Sequence, residues 1–169
     1  MKKKVIGFTL AFLTLMLTGC SMFLSEEDAI ADTRETAETS FNQNEMETNH
    51  EADSFSLYLP ESMKVSEESQ SNLILKEGEQ TFILFYNPKE ERTSKLNYEA
   101  ASEKDEHLLL ESFEDEDRFG YVRVLPANEE EEYELQVGVG GVKVTTFSKK
   151  ESIKKDTEKM MKIANSIAY

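Results

Sequence analysis

The most regular alternation in the chain begins at Tyr133. Tyr133, Leu135, Val137 and Val139 are separated by polar or small residues, Gly140-Gly141 follows, and Val142, Val144 and Thr146 alternate in turn. A period of two marks a strand with one buried face. A two-residue Gly-Gly loop supplies the positive φ angles that type I′ or II′ hairpin turns need. The loop sets the register: Val139 faces Val142, Val137 faces Val144 and Leu135 faces Thr146. All six then share one face, as a buried sheet face demands.

Other segments fit the same sheet. Asn72 to Lys76 carries Leu73, Ile74 and Leu75, Glu77-Gly78-Glu79 makes a turn, and Gln80 to Tyr86 is rich in β-branched and aromatic residues. The pattern predicts a hairpin. Its second run is apolar on both faces, which predicts a central strand. Phe55 to Leu59 alternates and stops at Pro60, and Met63 to Ser66 reads as a short continuation. His107 to Phe113 and Arg118 to Leu125 read as strands around the acidic turn Glu114-Asp115-Glu116-Asp117, with Pro126 closing the second. Lys89 to Ser94 is a charged loop, and Leu96 to Asp105 suits a short helix.

From Lys149 to Ala168 the period changes. Ile153, Thr157, Met160, Met161, Ala164 and Ile167 recur at steps of three and four, and Lys150, Lys154, Lys155, Lys159 and Lys162 lie off that stripe. This is an amphipathic helix. The expected fold is α+β: an antiparallel sheet of about five to seven strands packed with a C-terminal α-helix. The domain spans 55–169, long enough for a self-sufficient core.

The N-terminal part is built differently. Lys2, Lys3 and Lys4 precede Val5 to Leu17, 13 mostly apolar residues without charge, and Leu17-Thr18-Gly19-Cys20 closes the run. A basic start and a short apolar stretch make a secretory signal pattern, too short for a span of about 20 residues. The closing tetrapeptide resembles the bacterial lipobox. That resemblance implies cleavage between Gly19 and Cys20 and diacylglycerol on the Cys20 sulfur. The mature chain is then a lipoprotein anchored in the cell membrane and facing outward, since two acyl chains hold stably where one is marginal.

From Glu26 to Asp53 there are ten acidic residues and one basic one, Arg34, with many hydroxyl and amide side chains and no proline or glycine. Such a stretch has little apolar surface to offset its ordering entropy. Residues 20–54 are expected to form an acidic flexible tether that lifts the domain off the bilayer. The rival reading is a helix over Glu26 to Glu38, opposed by its thin apolar stripe. His50, inside this run, is expected to be solvated.

Charge and chemistry narrow the function. The formal charge is −15 for the whole chain. Such a field repels nucleic acid and anionic head groups. Cys20 is the only cysteine, so no internal disulfide forms. Gly138, Gly140 and Gly141 do not make a phosphate loop, because strand rather than helix follows them. His107 has no Gly-x-Ser-x-Gly partner motif, and no His-Glu-x-x-His motif exists. The acidic runs Glu114 to Asp117 and Glu129 to Glu132 lack the alternating ligands and central glycine of a calcium loop. No catalytic residue, metal site or cofactor is expected.

The run Phe55-Ser56-Leu57-Tyr58-Leu59-Pro60, the run Phe82 to Pro88 and the closing helix Ile153 to Ile167 after the Gly-Gly hairpin resemble the PsbP-like fold, an antiparallel sheet sandwiched with helices. The resemblance implies an accessory or docking role beside a membrane complex and no shared catalytic residues. The expected function is a non-catalytic, membrane-anchored interaction module with a protein partner and no nucleic acid. The alternative is a lipoprotein that captures a cation or small solute.

Overall fold

The computed structural model describes residues 24–43, 45–103 and 106–167. The signal sequence and cleavage site expected over Met1 to Gly19, and the lipidation site Cys20, lie outside the described residues.

The alternating segments form one seven-stranded antiparallel sheet. Its strands are β3 (Lys64–Ser69), β4 (Asn72–Glu77), β5 (Gln80–Tyr86), β6 (Leu109–Glu114), β7 (Phe119–Val124), β8 (Glu132–Val139) and β9 (Val142–Lys149), in the spatial order β3-β4-β5-β9-β8-β7-β6. The Gly-Gly hairpin has the predicted register, with Val139 opposite Val142, Val137 opposite Val144 and Leu135 opposite Thr146. β4 and β5 pair as predicted, closing through Glu77 opposite Gln80. Edge strand β3 carries the exposed charges Lys64, Glu67 and Glu68 and a register shift between Val65 and Glu67. Charges and a bulge discourage pairing with a foreign strand. Phe55 to Leu59 contributes less strand than its alternation predicts. Only β2 (Ser56–Leu57) pairs, with β1 (His50–Glu51), in a separate two-stranded ribbon.

One face of the sheet is covered by helices. The C-terminal helix begins at Ile153, four residues later than expected, because β9 continues through Lys149. Its stripe of Ile153, Thr157, Met160, Met161, Ala164 and Ile167 is buried and packs on β8 and β9. The first turn is pinned by Asp156, itself buried. Asp156 Oδ2 accepts from Ser148 Oγ at 2.6 Å and from Gln80 Nε2 at 2.9 Å, and Oδ1 lies 3.2 Å from Lys159 Nζ. Lys159 also pairs with Glu77. Burial opposes the charge on Glu77, but the Lys159 and Ser62 hydrogen bonds and the nearby lysines outweigh it and hold the carboxyl below its ordinary range.

The acidic stretch is not a free tether. Glu26–Phe41 forms α1, a 16-residue helix packed on the C-terminal helix and on β6 and β7. Ser25 Oγ accepts from the Asp28 N–H at 3.0 Å as an N-cap. Glu26, Glu27 and Asp28 in the first turn suit the positive end of the helix dipole. The buried stripe is Ala29, Thr33, Ala37, Ser40 and Phe41. Two of these are hydroxyl residues, which is why the apolar stripe looks thin. Thr33 donates to the Ala29 carbonyl at 2.7 Å, and Asn165 Nδ2 donates to the Ser40 carbonyl at 3.2 Å. Phe41 is the largest apolar side chain of that stripe. Its ring rests on Gly120, where a Cβ would lie 2.6 Å from Phe41 Cδ2. The following segment is tied down too, by Glu45 to Arg92 at 2.5 Å. His50 is not fully solvated either: it lies in β1, with Nε2 buried.

The connection from β5 to β6 crosses the sheet. Its start packs against the β8–β9 turn: Asn87 N–H donates to the Gly141 carbonyl at 3.0 Å, and Phe119 N–H to the Arg92 carbonyl at 2.9 Å. Gly140 has φ +53°, and a Cβ there would lie 2.5 Å from Arg92 Cα. The Gly-Gly pair thus serves both the turn and the crossing. The crossing then forms α2 (Leu96–Ser102), somewhat shorter than predicted.

Candidate functional site

The crossing covers the second face of the sheet only in part. Tyr98 of α2 packs edge-on against Phe119 and Tyr121 of β7, at 5.4 and 6.0 Å between ring centroids. Arg123, 2% exposed, lies beneath the end of the helix. It donates from Nη1 to the Ala101 carbonyl at 3.5 Å and places Nη2 3.7 Å from Glu134 Oε1. A cation at the C-terminal carbonyls of a helix is favourable, so Arg123 helps hold α2 down. Burial pushes the Tyr121 hydroxyl well above its usual pKa.

The other half of this face, over β4, β5 and β9, is open. Strand alternation forces one set of side chains outward here. Ile74 stands opposite Ile83, Ile83 opposite Thr145, and Phe85 opposite Lys143. Phe147 continues the line on β9. Ile83 is 47% exposed and Phe147 50%; Ile74 and Phe85 are half-buried. The inward-facing neighbours Leu73, Leu75, Phe82, Leu84 and Val144 are fully buried. β5 therefore carries apolar residues on both faces, and only one face is covered. The sequence predicted a central strand, and β5 is internal, but its second apolar face meets solvent.

Three lysines, Lys64, Lys76 and Lys143, stand on the open face of a chain that is acidic overall, and Glu67 shares that face opposite Ile74. Among the described residues no carboxylate lies within salt-bridge distance of Lys64, Lys76 or Lys143. Lys143 Nζ sits 5.8 Å from the centre of the Phe85 ring. Lys149, by contrast, pairs with Glu132 at 3.4 Å. A shallow groove of ≈370 Å³, lined by Glu79, Thr81, Glu132, Phe147 and Lys149 among others, continues the patch past the ends of β5 and β9.

The acidic runs singled out in the sequence are turns held by internal bonds. Asp115 accepts from the N–H groups of Asp117 and Arg118 and from Arg118 Nε, each at 2.9 Å. Burial works against its charge, and these donors outweigh it, holding its pKa below the usual value. Asn128 Oδ1 accepts from the N–H groups of Glu130 and Glu132 at 2.9 Å. Among the described residues, no three His, Cys, Asp or Glu side chains converge as metal ligands would. No described helix is long and apolar enough to cross a membrane.

The residues that sequence reasoning missed are Ile83, Phe85 and Phe147. Two signals were present: a strand with no polar face, and a phenylalanine in the polar phase of β9.

No protein-family model matches this chain, and no curated protein matches it significantly.

Proposed function

We propose that this chain is an extracytoplasmic lipoprotein, anchored through Cys20, whose domain docks a protein partner on the open face of its sheet. The observation that carries the reading is the half-covered sheet: Ile83 and Phe147 stand exposed over fully buried β-core residues. Aromatic and branched apolar side chains on a rigid sheet lose little conformational entropy on binding, and a contiguous exposed apolar patch marks an interaction surface. The patch is flat and carries no convergent carboxylates, which favours docking over capture of a cation. The reading agrees with the accessory role implied by the PsbP-like resemblance.

The test is crosslinking in intact cells with a tagged, anchored protein, wild type against Ile83→Asp/Phe147→Asp. Both side chains are about half exposed and outside the buried core, so the double variant is expected to stay folded, with a modestly lowered unfolding midpoint, and lose the dominant crosslinked partner. A double variant that retains the same partner at the same yield would show that the open face is not the docking surface.

A further inference from the structure

The helix α1 changes where the open face is held. The Tyr133 hydroxyl, at the start of β8, donates to Glu26 Oε2 at 2.8 Å. Phe41, at the other end of α1, rests on Gly120, which pairs with Val139 at the end of β8. The axis of α1 therefore follows the strands over about 24 Å. The chain enters the domain at the Tyr133 end of the sheet, the end that carries the groove between Glu79 and Lys149. Leu24 already packs against the core. Four residue steps separate Cys20 from Leu24 and span at most about 14 Å.

With lipid on Cys20, that end of the sheet stands close to the bilayer, and β8 and β9 rise from it over roughly 27 Å. The open face is then upright and looks sideways along the membrane. Its chemistry narrows the partner further. Ile74, Ile83, Phe85 and Phe147 need apolar cover. Lys64, Lys76 and Lys143 outnumber Glu67 on this face and, without carboxylate partners of their own among the described residues, favour acidic ones. A second copy would bring the same lysines against themselves.

We infer that the partner is a protein of the same membrane, docking through an apolar segment flanked by carboxylates just outside its own membrane-embedded part. The inference rests on the docking reading above and on lipidation of Cys20. Short attachment acts through effective concentration: both proteins are confined to one surface at matched height.

The test uses the full-length protein in cells with a photo-crosslinking amino acid in place of Thr145, which lies between the apolar residues of the face. Three forms are compared: the native attachment, a flexible Gly/Ser insert of about 40 residues between Phe23 and Leu24, with a mean reach of about 35 Å, and Lys64→Glu/Lys76→Glu/Lys143→Glu. Thr145 is expected to crosslink to one integral membrane protein. The insert should lower the yield about threefold or more, and the charge reversal should lower it as well. An undiminished yield with the insert overturns the same-membrane geometry and leaves docking intact. A higher yield after charge reversal overturns the acidic partner. Crosslinks confined to lipid, to a second copy or to a freely diffusing protein overturn the inference. No crosslink in the native form sinks the docking reading with it.

Discussion

Because α1 packs on the sheet and the C-terminal helix, truncating Phe41 has a large and calculable effect. Its side chain is 1% exposed. It lies on Gly120, 5.8 Å from the Phe113 ring between centroids, with the Arg118 guanidinium 4.6 Å above its own ring. Gly120 has no side chain with which to fill the space a smaller residue would leave, so the site collapses poorly. A buried Phe→Ala change of this kind costs about 3–5 kcal/mol, including the lost ring–ring and cation–ring contacts. That is a large part of the 5–15 kcal/mol typical of a domain. With a urea slope near 2 kcal/mol/M, the unfolding midpoint of Phe41→Ala should fall by about 1.5–2.5 M. The assay is urea denaturation of a soluble form beginning at Ser21, followed by circular dichroism. A flexible tether would place Phe41 in solvent, where substitutions usually change stability by about 0.5 kcal/mol or less. A midpoint shift under about 0.3 M would therefore refute the docked helix and restore the tether. It would also remove the basis for an upright open face near the bilayer.

Four further outcomes follow from the geometry. Gly140→Ala puts a Cβ at positive φ and against the Arg92 backbone; a cost of about 2–4 kcal/mol in the same assay is expected, and a cost below about 0.5 kcal/mol would mean the crossing moves aside freely. Asp156→Ala removes the acceptor 2.6 Å from Ser148 Oγ and one acceptor of Gln80 Nε2, which keeps Thr146 Oγ1 and the Phe147 carbonyl, and should cost about 2–4 kcal/mol, with Asp156→Asn milder; equal loss in both variants would argue that the charge, rather than the hydrogen bonds, holds the helix. Glu77 and Asp115 have lowered pKa values in the folded state, so their stabilisation is complete above the ordinary carboxylate values of about 3.9–4.3 and is lost as the pH falls through the lowered ones. Thermal unfolding should accordingly fall below about pH 4. At the other extreme, burial and the bond to Glu26 raise Tyr133 to about 12, and its contribution should be lost as the pH rises from the ordinary tyrosine value of about 10 through that raised value. Tyr133→Phe should make this alkaline limb shallower, leaving the part set by the buried Tyr121 hydroxyl, whose pKa is raised as well, and an unchanged limb would show that Tyr133 does not contribute to it.

The sequence by itself determined the two hairpins β4–β5 and β8–β9 and most of the other strands, though not the β1–β2 ribbon. Gly140-Gly141 set the register of β8 and β9 because a two-residue turn admits one alignment that puts Leu135, Val137 and Val139 on a single face. The step of three and four from Ile153 to Ile167 likewise determined which side of the C-terminal helix is buried. Two things were decided only by tertiary structure. The first is α1: Ala29, Thr33, Ala37 and Ser40 look too small and polar to drive packing until Asn165 is brought to the Ser40 carbonyl and Gly120 beneath Phe41. Small residues bury little area each, and their value lies in the close approach they allow to a particular neighbour. The second is the fate of the two apolar faces of β5. Alternation shows that Phe82 and Leu84 point one way and Ile83 and Phe85 the other. Only the path of the chain between β5 and β6, which lays α2 over β7 and not over β5, decides which face is left for a partner. Periodicity is a property of neighbours along the chain, whereas coverage depends on where distant segments come to rest.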